Sequence, residues 1–206
     1  MKPYYQDDAV TIYHGDNREI LPALGRFDLL LTDPPYGIGI SSNPVRQKHI
    51  KLDWDESTPD PGIISLLIAR ADKAIIWGGN YFNLPAHQCF LAWDKMQPED
   101  LSLAMLEQAW TNLNGPAKMF RKCVTSYQKQ HPTQKPVELI TWCIVQADKK
   151  QDVKTILDPF AGSGTTGRAA KDMGRKCVLI EREEKYCEIA ANRMLPEVFN
   201  FEETGK

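Results

Sequence analysis

The segment DPFAGSGTTG, residues 158–167, follows a short apolar run and precedes a helical pattern. Its three glycines fit the spacing G-x-G-x-x-G, which allows a tight strand-to-helix turn and a close approach of backbone to a ligand. Glu181 ends the next apolar run about 20 residues further on, where a carboxylate can accept hydrogen bonds from ribose hydroxyls. The segment therefore predicts a cofactor with a nucleoside part, although a tight turn in an α/β sheet is an alternative.

Two other ligands use a similar glycine-rich turn. A Walker A loop is excluded because Arg168 and Ala169 follow Gly167, so the phosphate-binding lysine and the magnesium-binding hydroxyl are both missing. A nicotinamide cofactor fits the spacing, but its strand normally stands at the head of the domain, whereas this one lies near the end of the chain. The flanking Asp158 and Pro159 also favour a different cofactor.

Short apolar runs that end in acidic residues, glycine or proline predict strands covered on both faces of a parallel sheet. They lie at 27–33, 74–77, 155–158 and 177–181, and helical patterns separate them. This alternation predicts an α/β fold with a doubly wound, mostly parallel sheet. Weaker strands at 90–93 and 118–121 lack a convincing crossover helix, and we expect them to form an antiparallel hairpin at one edge.

The bulk properties describe an ordinary globular protein. The chain has 206 residues, 42% of them hydrophobic and 25% charged, which favours one domain. A net charge of −2 argues against a protein that coats nucleic acid by bulk charge, but it allows a local basic groove. Five cysteines without a Cys-x-x-Cys pair argue against a disulfide framework and a metal site. Without an apolar stretch near the start or of membrane-spanning length, we expect a cytoplasmic protein and no membrane.

The turn DPPY, residues 33–36, ends the first apolar run. Its two prolines fix the backbone and remove two donors, so carbonyl groups such as that of Pro34 are free to accept hydrogen bonds. Asp33 adds a carboxylate acceptor, and Tyr36 adds a flat aromatic face. Together they suit a planar amine that donates its hydrogens while its ring stacks, whereas a rigid turn with a capping aspartate is the structural alternative.

These motifs resemble those of the amino-methyltransferases of DNA, in the beta class, whose catalytic half precedes the cofactor half. The matching segments are DPPY at 33–36, HPTQKP at 131–136 and DPFAGSGTT at 158–166, in the order of that family. The resemblance extends over most of residues 10–195. The segments WGGNYF and AWT, at 77–82 and 109–111, are also similar to small phage-like members.

The resemblance implies one methyltransferase domain over residues 1–206, with the Rossmann-like fold of S-adenosyl-L-methionine-dependent enzymes. Residues 1–130 would form the catalytic and DNA-contacting half, and 131–206 the cofactor half. The cofactor would be S-adenosyl-L-methionine, and a side chain at Gly164 would block its approach. The implied cofactor-binding residues are Asp16, Asp158, Phe160, Gly162, Ser163, Gly164, Thr165, Thr166, Glu181 and Lys135.

The family's activity implies site-specific methylation of adenine N6 in double-stranded DNA, with the target base flipped out of the duplex. Asp33, Pro34 and Tyr36 would be the catalytic residues. The resemblance also implies a link to restriction-modification. It identifies neither the DNA sequence that is recognised nor a cognate nuclease. Some members of the family form dimers, so the resemblance leaves both a monomer and a homodimer as alternatives.

Several alternatives to an adenine enzyme follow from the same residues. Enzymes that methylate cytosine N4 more often resemble Ser-Pro-Pro at the catalytic turn, so Asp33 favours adenine without deciding it. A cytosine-carbon enzyme needs a cysteine nucleophile, and no cysteine here follows a proline. RNA and protein-glutamine methyltransferases, and a catalytically silent relative that binds DNA or cofactor, are further alternatives.

Two segments without any Asp or Glu, residues 37–52 and 108–137, are candidates for the DNA-binding surface. The first follows the catalytic turn, and the second leads into the cofactor half. Their lysines and arginines can pair with phosphates. The candidate DNA-binding residues are Arg46, Lys48, Arg121 and Lys122.

Overall fold

The computed structural model describes residues 1–37, 59–98, 104–127 and 134–195. Arg46 and Lys48 lie outside these residues. In the described ranges one sheet contains nine strands, which are β1 (Tyr5–Gln6), β2 (Val10–His14), β3 (Phe27–Thr32), β4 (Ala71–Trp77), β5 (Phe90–Asp94), β6 (Leu106–Thr111), β7 (Lys118–Arg121), β8 (Thr155–Asp158) and β9 (Lys176–Glu181). The helices are α1 (Asn17–Ile20), α2 (Pro61–Ala69), α3 (Val137–Ala147), α4 (Thr165–Asp172) and α5 (Glu184–Met194), with short 3-10 turns at Leu21–Ala23 and Gly79–Tyr81.

The strands lie in the order β1-β2-β9-β8-β3-β4-β6-β5-β7. From β2 to β4 all neighbours are parallel, while β1 pairs with β2, and β6 pairs with β4 and β5, in antiparallel fashion. The predicted doubly wound, mostly parallel α/β sheet is therefore confirmed, including antiparallel pairing towards one edge.

The strands that form the antiparallel pair were predicted wrongly. β5 and β7 run parallel to each other, with Ala92 opposite Met119, so they form no hairpin. The antiparallel partner of β5 is β6, which follows it in the chain and inserts between β5 and β4. The sequence of β6, LEQAWT, contains neither a long apolar run nor a regular alternation of polar and apolar residues, so it carries no clear strand signal.

Both faces of the sheet are covered by helices. Apolar residues of α3, α4 and α5 pack with Leu29 and Leu31 of β3 on one face. Residues of α1, the first 3-10 turn and α2 pack with Leu30 on the other face. The alternation of side chains along β3 thus places apolar residues in two cores, as the continuous apolar run predicted. None of the helices in the described ranges is long and apolar enough to span a bilayer.

The topological switch point lies between β3 and β8. These two parallel strands are neighbours, but the chain leaves β3 towards β4 on one side and leaves β8 towards β9 on the other. In open α/β sheets, ligands bind in the crevice beyond the carboxyl ends of strands at such a point. Asp33 directly follows β3, and Asp158 ends β8, so both lie at this crevice.

The antiparallel direction of β6 brings a different part of the chain to the same edge. Because β4 and β5 both run antiparallel to β6, they run parallel to each other, and the carboxyl end of β5 lies at the crevice edge. The amino end of β6, with Glu107 opposite Trp93, lies at that edge as well. β7 is parallel to β5, so Arg121 and the following Lys122 also end there.

Gly164 precedes α4 in a left-handed conformation, with φ of +77°. A Cβ at this residue would lie 2.7 Å from the Cβ of Ala190 and 2.9 Å from its Cα. A side chain at Gly164 would therefore clash with α5. The expectation that such a side chain would also block the approach of cofactor stays a prediction.

We expect Gly164→Ala to destabilise the fold more than Gly174→Ala, by about 1–3 kcal/mol in the free energy of unfolding. Both glycines have positive φ, but an added Cβ at Gly174 meets nothing within 4 Å. Gly174→Ala, the control, therefore introduces only the backbone strain of a side chain at positive φ, while Gly164→Ala adds the clash with α5. Urea unfolding measures both values, and equal losses would contradict the packing role of Gly164.

Candidate active site

A cavity of about 350 Å³ opens at the switch point. It brings together residues that are far apart in the sequence, from the first turn after β2 to the end of β9. Ten of the residues predicted for the site line it, namely Asp16, Asp33, Lys135, Asp158, Phe160, Gly162, Ser163, Thr165, Thr166 and Glu181. Gly164, Pro34 and Tyr36 are not among the lining residues.

The glycine-rich turn and Glu181 form one wall of the cavity. The Gly162 amide donates to Oε2 of Glu181 at 2.7 Å, and the Glu183 amide donates to Oε1 at 2.8 Å. Burial raises the pKa of Glu181, whereas these amides oppose the shift. Gly162 has φ of +50°, and a Cβ there would meet no protein atom within 4 Å. The wall therefore offers a fixed carboxylate beside open space.

Asp158 is buried beneath the turn. Its Oδ1 accepts from the Thr32 hydroxyl at 2.8 Å and from the Phe160 amide at 3.1 Å. Burial raises the pKa of this carboxyl to about 6, although the hydrogen bonds lower it in part. The contact with Thr32 ties the end of β8 to the end of β3, so it positions the two sides of the crevice relative to each other.

A small polar cluster connects the glycine-rich turn to α5. Arg193 donates to Oε1 of Gln134 at 3.1 Å and to the Thr165 hydroxyl at 3.3 Å. The Ser163 hydroxyl donates to the same Gln134 oxygen at 3.3 Å. Sequence reasoning missed Gln134 and Arg193, although Gln134 lies within the HPTQKP segment.

Asp33 and Tyr36 of the DPPY turn are in direct contact. The Tyr36 hydroxyl donates to Oδ1 of Asp33 at 2.5 Å. The ring of Tyr36 stacks on that of Tyr81, with centroids 4.8 Å apart and planes at 16°. A Cβ at Gly78 would overlap the Tyr36 ring, so the glycine at this turn is needed for the ring's position. Tyr81 and Gly78 belong to the WGGNYF segment, which is the signal that could have placed them here.

Lys135 is only 5% exposed, and its ammonium group lies at the centre of this arrangement. It forms ion pairs with Oδ2 of Asp33 and, at 3.0 Å, with Oε2 of Glu107. It also lies 5.1 Å from the centroid of the Trp77 ring. Lys135 was predicted to bind cofactor, but the structure places its ammonium on the carboxylate predicted to be catalytic, while the residue still lines the cavity.

Each charged group of this cluster shifts the pKa of its neighbours. Burial raises the pKa of Asp33, Lys135 opposes the shift, and the carboxylate of Glu107 adds to it. Burial would also raise the pKa of Glu107, but the ammonium groups of Lys135 and Lys95 hold it at about 2. Burial lowers the pKa of Lys135, yet Asp33 and Glu107 together raise it above its ordinary value. Lys135 is therefore positively charged, and Glu107 negatively charged, at neutral pH.

Arg121 and Lys122 lie at the end of β7, outside the residues that line the cavity. Arg121 pairs with Asp94 at 3.3 Å, and Lys122 pairs with Glu138 at 2.8 Å. Both cations are therefore at the crevice edge of the sheet, as expected for a surface that borders the site, but each has a carboxylate partner.

Comparison with known sequences finds a family match. A sequence model of the family described as DNA methylase matches residues 75–192, more than half of the chain. The type II methyltransferase M2.DpnII of Streptococcus pneumoniae is 31% identical over 160 residues, which cover 77% of this chain and 56% of that protein. The chain thus spans a little over half the length of this relative.

Solved structures share the fold. The PvuII DNA methyltransferase, which is cytosine-N4-specific, superposes with a TM-score of 0.65 at 17% identity, covering 95% of this chain and 90% of that one. The crystal structure of the M1.HpyAVI–SAM complex gives a TM-score of 0.57 at 20% identity, covering 91% and 100%. At these identities the similarity confirms the α/β fold predicted from the sequence.

We expect Asp158→Asn to raise the free energy of unfolding by about 1–3 kcal/mol at about pH 7.5. The folded-state pKa of Asp158 lies above its unfolded value, so the stability it contributes is present at low pH and lost as the pH rises through about 6. Asparagine can accept the same hydrogen bonds without a buried charge. Urea unfolding should therefore show a gain that shrinks as the pH falls towards about 4.

Asp28→Asn is the control of opposite sign. Burial would raise the pKa of Asp28, but the backbone amides of Lys154 and Thr155 lower it below its ordinary value. Its replacement should destabilise the protein at neutral pH, with a loss that shrinks on acidification. A gain for Asp158→Asn that does not depend on pH would show that its buried charge has no cost.

Proposed function

The chain belongs to the DNA methylase family, and from this premise we propose that it transfers a methyl group from S-adenosyl-L-methionine to the exocyclic amino group of adenine in duplex DNA. The observation that carries the proposal is the single cavity lined by Asp33 on one side and by the glycine-rich turn with Glu181 on the other. A donor of methyl groups and an acceptor amine could meet there. The chain spans just over half the length of M2.DpnII. Its activity and its substrate are therefore proposed from its own site and are not taken over from that relative.

The donor set of the cavity fits S-adenosyl-L-methionine, the ligand of the structurally similar M1.HpyAVI complex. When bound, this cofactor supplies an electrophilic methyl group on a sulfonium. Glu181 would accept hydrogen bonds from the ribose hydroxyls of the cofactor. Because Gly162 borders open space, cofactor atoms could lie close to its backbone. Asp16, Asp158, Phe160, Ser163, Thr165 and Thr166 would complete the pocket, with Gly164 acting through its contact with α5.

The catalytic group would be Asp33, assisted by the carbonyl of Pro34. The lone pair of an adenine amino nitrogen is delocalised into the ring, which makes the nitrogen a weak nucleophile. Two fixed acceptors can draw its hydrogens out of the ring plane and localise that pair. Positive charge grows on the nitrogen during transfer, so a fixed carboxylate stabilises the transition state where the charge develops.

The base would leave the duplex to reach this cavity, at a cost of a few kcal/mol. Stacking on an aromatic ring returns about 1–3 kcal/mol per base. Tyr36 is the proposed stacking residue, and because Tyr81 already covers one face of its ring, the opposite face would receive the base. Tyr81 therefore orients Tyr36 in this scheme.

The two halves of the chain would divide the work unequally. Residues 1–130 would supply the catalytic turn and most DNA contacts, and residues 131–206 most of the cofactor pocket. Two of the predicted site residues cross this division, because Asp16 would hold cofactor from the first half and Lys135 reaches Asp33 from the second. Duplex DNA is the proposed partner, held in part by Arg121 and Lys122 at the crevice edge.

The decisive experiment incubates the protein with duplex DNA and labelled cofactor, then sequences the product by a method that reports modified bases. Methylated adenine supports the proposal, while methylated cytosine amino groups would support the N4 alternative. Cofactor binding without any transfer to DNA would indicate a silent relative.

We expect Asp33→Asn to lower kcat for methyl transfer by about 100- to 1000-fold, because the variant keeps the shape of the side chain but loses its charge. Cofactor affinity, measured by calorimetry, should change little, since Asp33 lies at the acceptor side of the cavity. Asp152→Asn is the matched control, because it also removes a lysine-paired carboxylate but at an exposed position. Near-normal turnover of Asp33→Asn would rule out its catalytic role.

For the DNA surface, we expect Arg121→Ala with Lys122→Ala to weaken duplex binding. The slope of log affinity against log salt should fall by about 1 for each phosphate that the variant no longer neutralises. The matched control is Arg26→Ala with Lys73→Ala, which removes two carboxylate-paired cations near the opposite edge of the sheet. An equal salt slope for the two double variants would show that the DNA-binding surface does not lie at the end of β7.

A further inference from the structure

Glu107 is a charged residue of the site that none of the sequence motifs contains. It lies near the amino end of β6, and the antiparallel direction of that strand brings it to the crevice edge. Its side chain is 25% exposed and sits between two cations. Oε1 pairs with the ammonium of Lys95, and Oε2 lies 3.0 Å from the ammonium of Lys135.

The four side chains alternate in charge along a series of contacts that ends at the DPPY turn. Lys95 contacts Glu107, Glu107 contacts Lys135, and Lys135 contacts Asp33. The cluster therefore has no net charge when all four groups are ionised. Loss of the Glu107 carboxylate would leave one positive charge in excess beside the proposed acceptor site.

That excess charge would oppose the proposed reaction. Positive charge grows on the target nitrogen next to Asp33, and the ammonium of Lys135 contacts the same carboxylate. A like charge held this close raises the energy of the transition state, unless a second carboxylate offsets it. Glu107 is the carboxylate in contact with Lys135 besides Asp33 among the described residues.

We propose that Glu107 is a positioning residue of the methyl-transfer site, which holds and neutralises the Lys135 ammonium so that the Asp33 carboxylate remains available to the target amine. This inference rests on the proposed function for its catalytic consequence. The electrostatic part concerns only residues of this chain, so it can be measured without turnover.

The first test is a titration of Asp33 by carboxyl NMR in the parent and in Glu107→Gln. The charged or titratable groups that face Asp33 are Lys135, Tyr36, Glu107 and Asp158, and those that face Glu107 also include Lys95 and Tyr127. Glu107 raises the pKa of Asp33, so its neutral replacement should lower that pKa, by about one pH unit. An unchanged Asp33 titration would overturn the proposal.

The second test is kinetic. Glu107→Gln should lower kcat about 10- to 100-fold, because the excess positive charge raises the energy of the transition state, with KM for DNA little changed. The acid limb of its pH profile should move to lower pH together with the Asp33 titration.

Two further variants separate this role from a purely structural one. Lys95→Met leaves Glu107 in place and removes a cation, so the pKa of Asp33 should move upwards, opposite to Glu107→Gln. Asp72→Asn removes an exposed carboxylate paired with Arg26 and should alter neither the titration nor kcat. Shifts of the same sign in Lys95→Met and Glu107→Gln would mean a structural disturbance and would refute the proposal.

The outcomes also separate this inference from the proposed function. A parent protein that transfers no methyl group to DNA removes the proposed function, while the Asp33 titration still decides whether Glu107 controls that carboxyl. An active parent with unchanged Asp33 titration and unchanged kcat in Glu107→Gln removes the inference and leaves the function standing.

Discussion

The parallel pairing of β3 with β8 joins parts of the chain more than a hundred residues apart, and the site depends on it. Leu29 and Leu30 lie opposite Ile156 and Leu157, and the Thr32 hydroxyl bonds to Asp158 just beyond them. Because the chain turns to opposite sides after these two strands, a crevice must open at their carboxyl ends. The DPPY turn and the glycine-rich turn are thereby placed at the two walls of one cavity. A shift in this pairing would separate the two turns.

Buried charge is the second constraint on this site. Lys135 is almost fully buried, and an isolated ammonium in such a place would be strongly destabilising. Asp33 and Glu107 offset that cost, yet each is then committed to a cation. The Lys135 ammonium favours the ionised form of Asp33 in this buried place, although burial and Glu107 raise the pKa of that carboxyl. Glu107 and Lys95 add a third and a fourth charge, which leave the cluster without net charge when all four groups are ionised.

Neighbouring residues also fix the aromatic part of the site. Tyr36 is held by its hydroxyl on Asp33 and by its ring on Tyr81, so the ring has little rotational freedom. Gly78 permits this position because any Cβ there would overlap the ring. The DPPY turn and the turn at Gly78 therefore fix the orientation of this ring together.

The sequence by itself determined the strands and turns whose signals are local. Apolar runs predicted β3, β4, β8 and β9, and glycine and proline spacing located the two turns that line the cavity, because backbone conformation there depends on adjacent residues. Pairing between distant segments carries no such signal. The direction of β6, the parallel placement of β7 and the arrival of Glu107 beside Lys135 were decided only by the tertiary structure. The same holds for the contact of Gly164 with α5, since the spacing of glycines does not show which protein atoms lie against them.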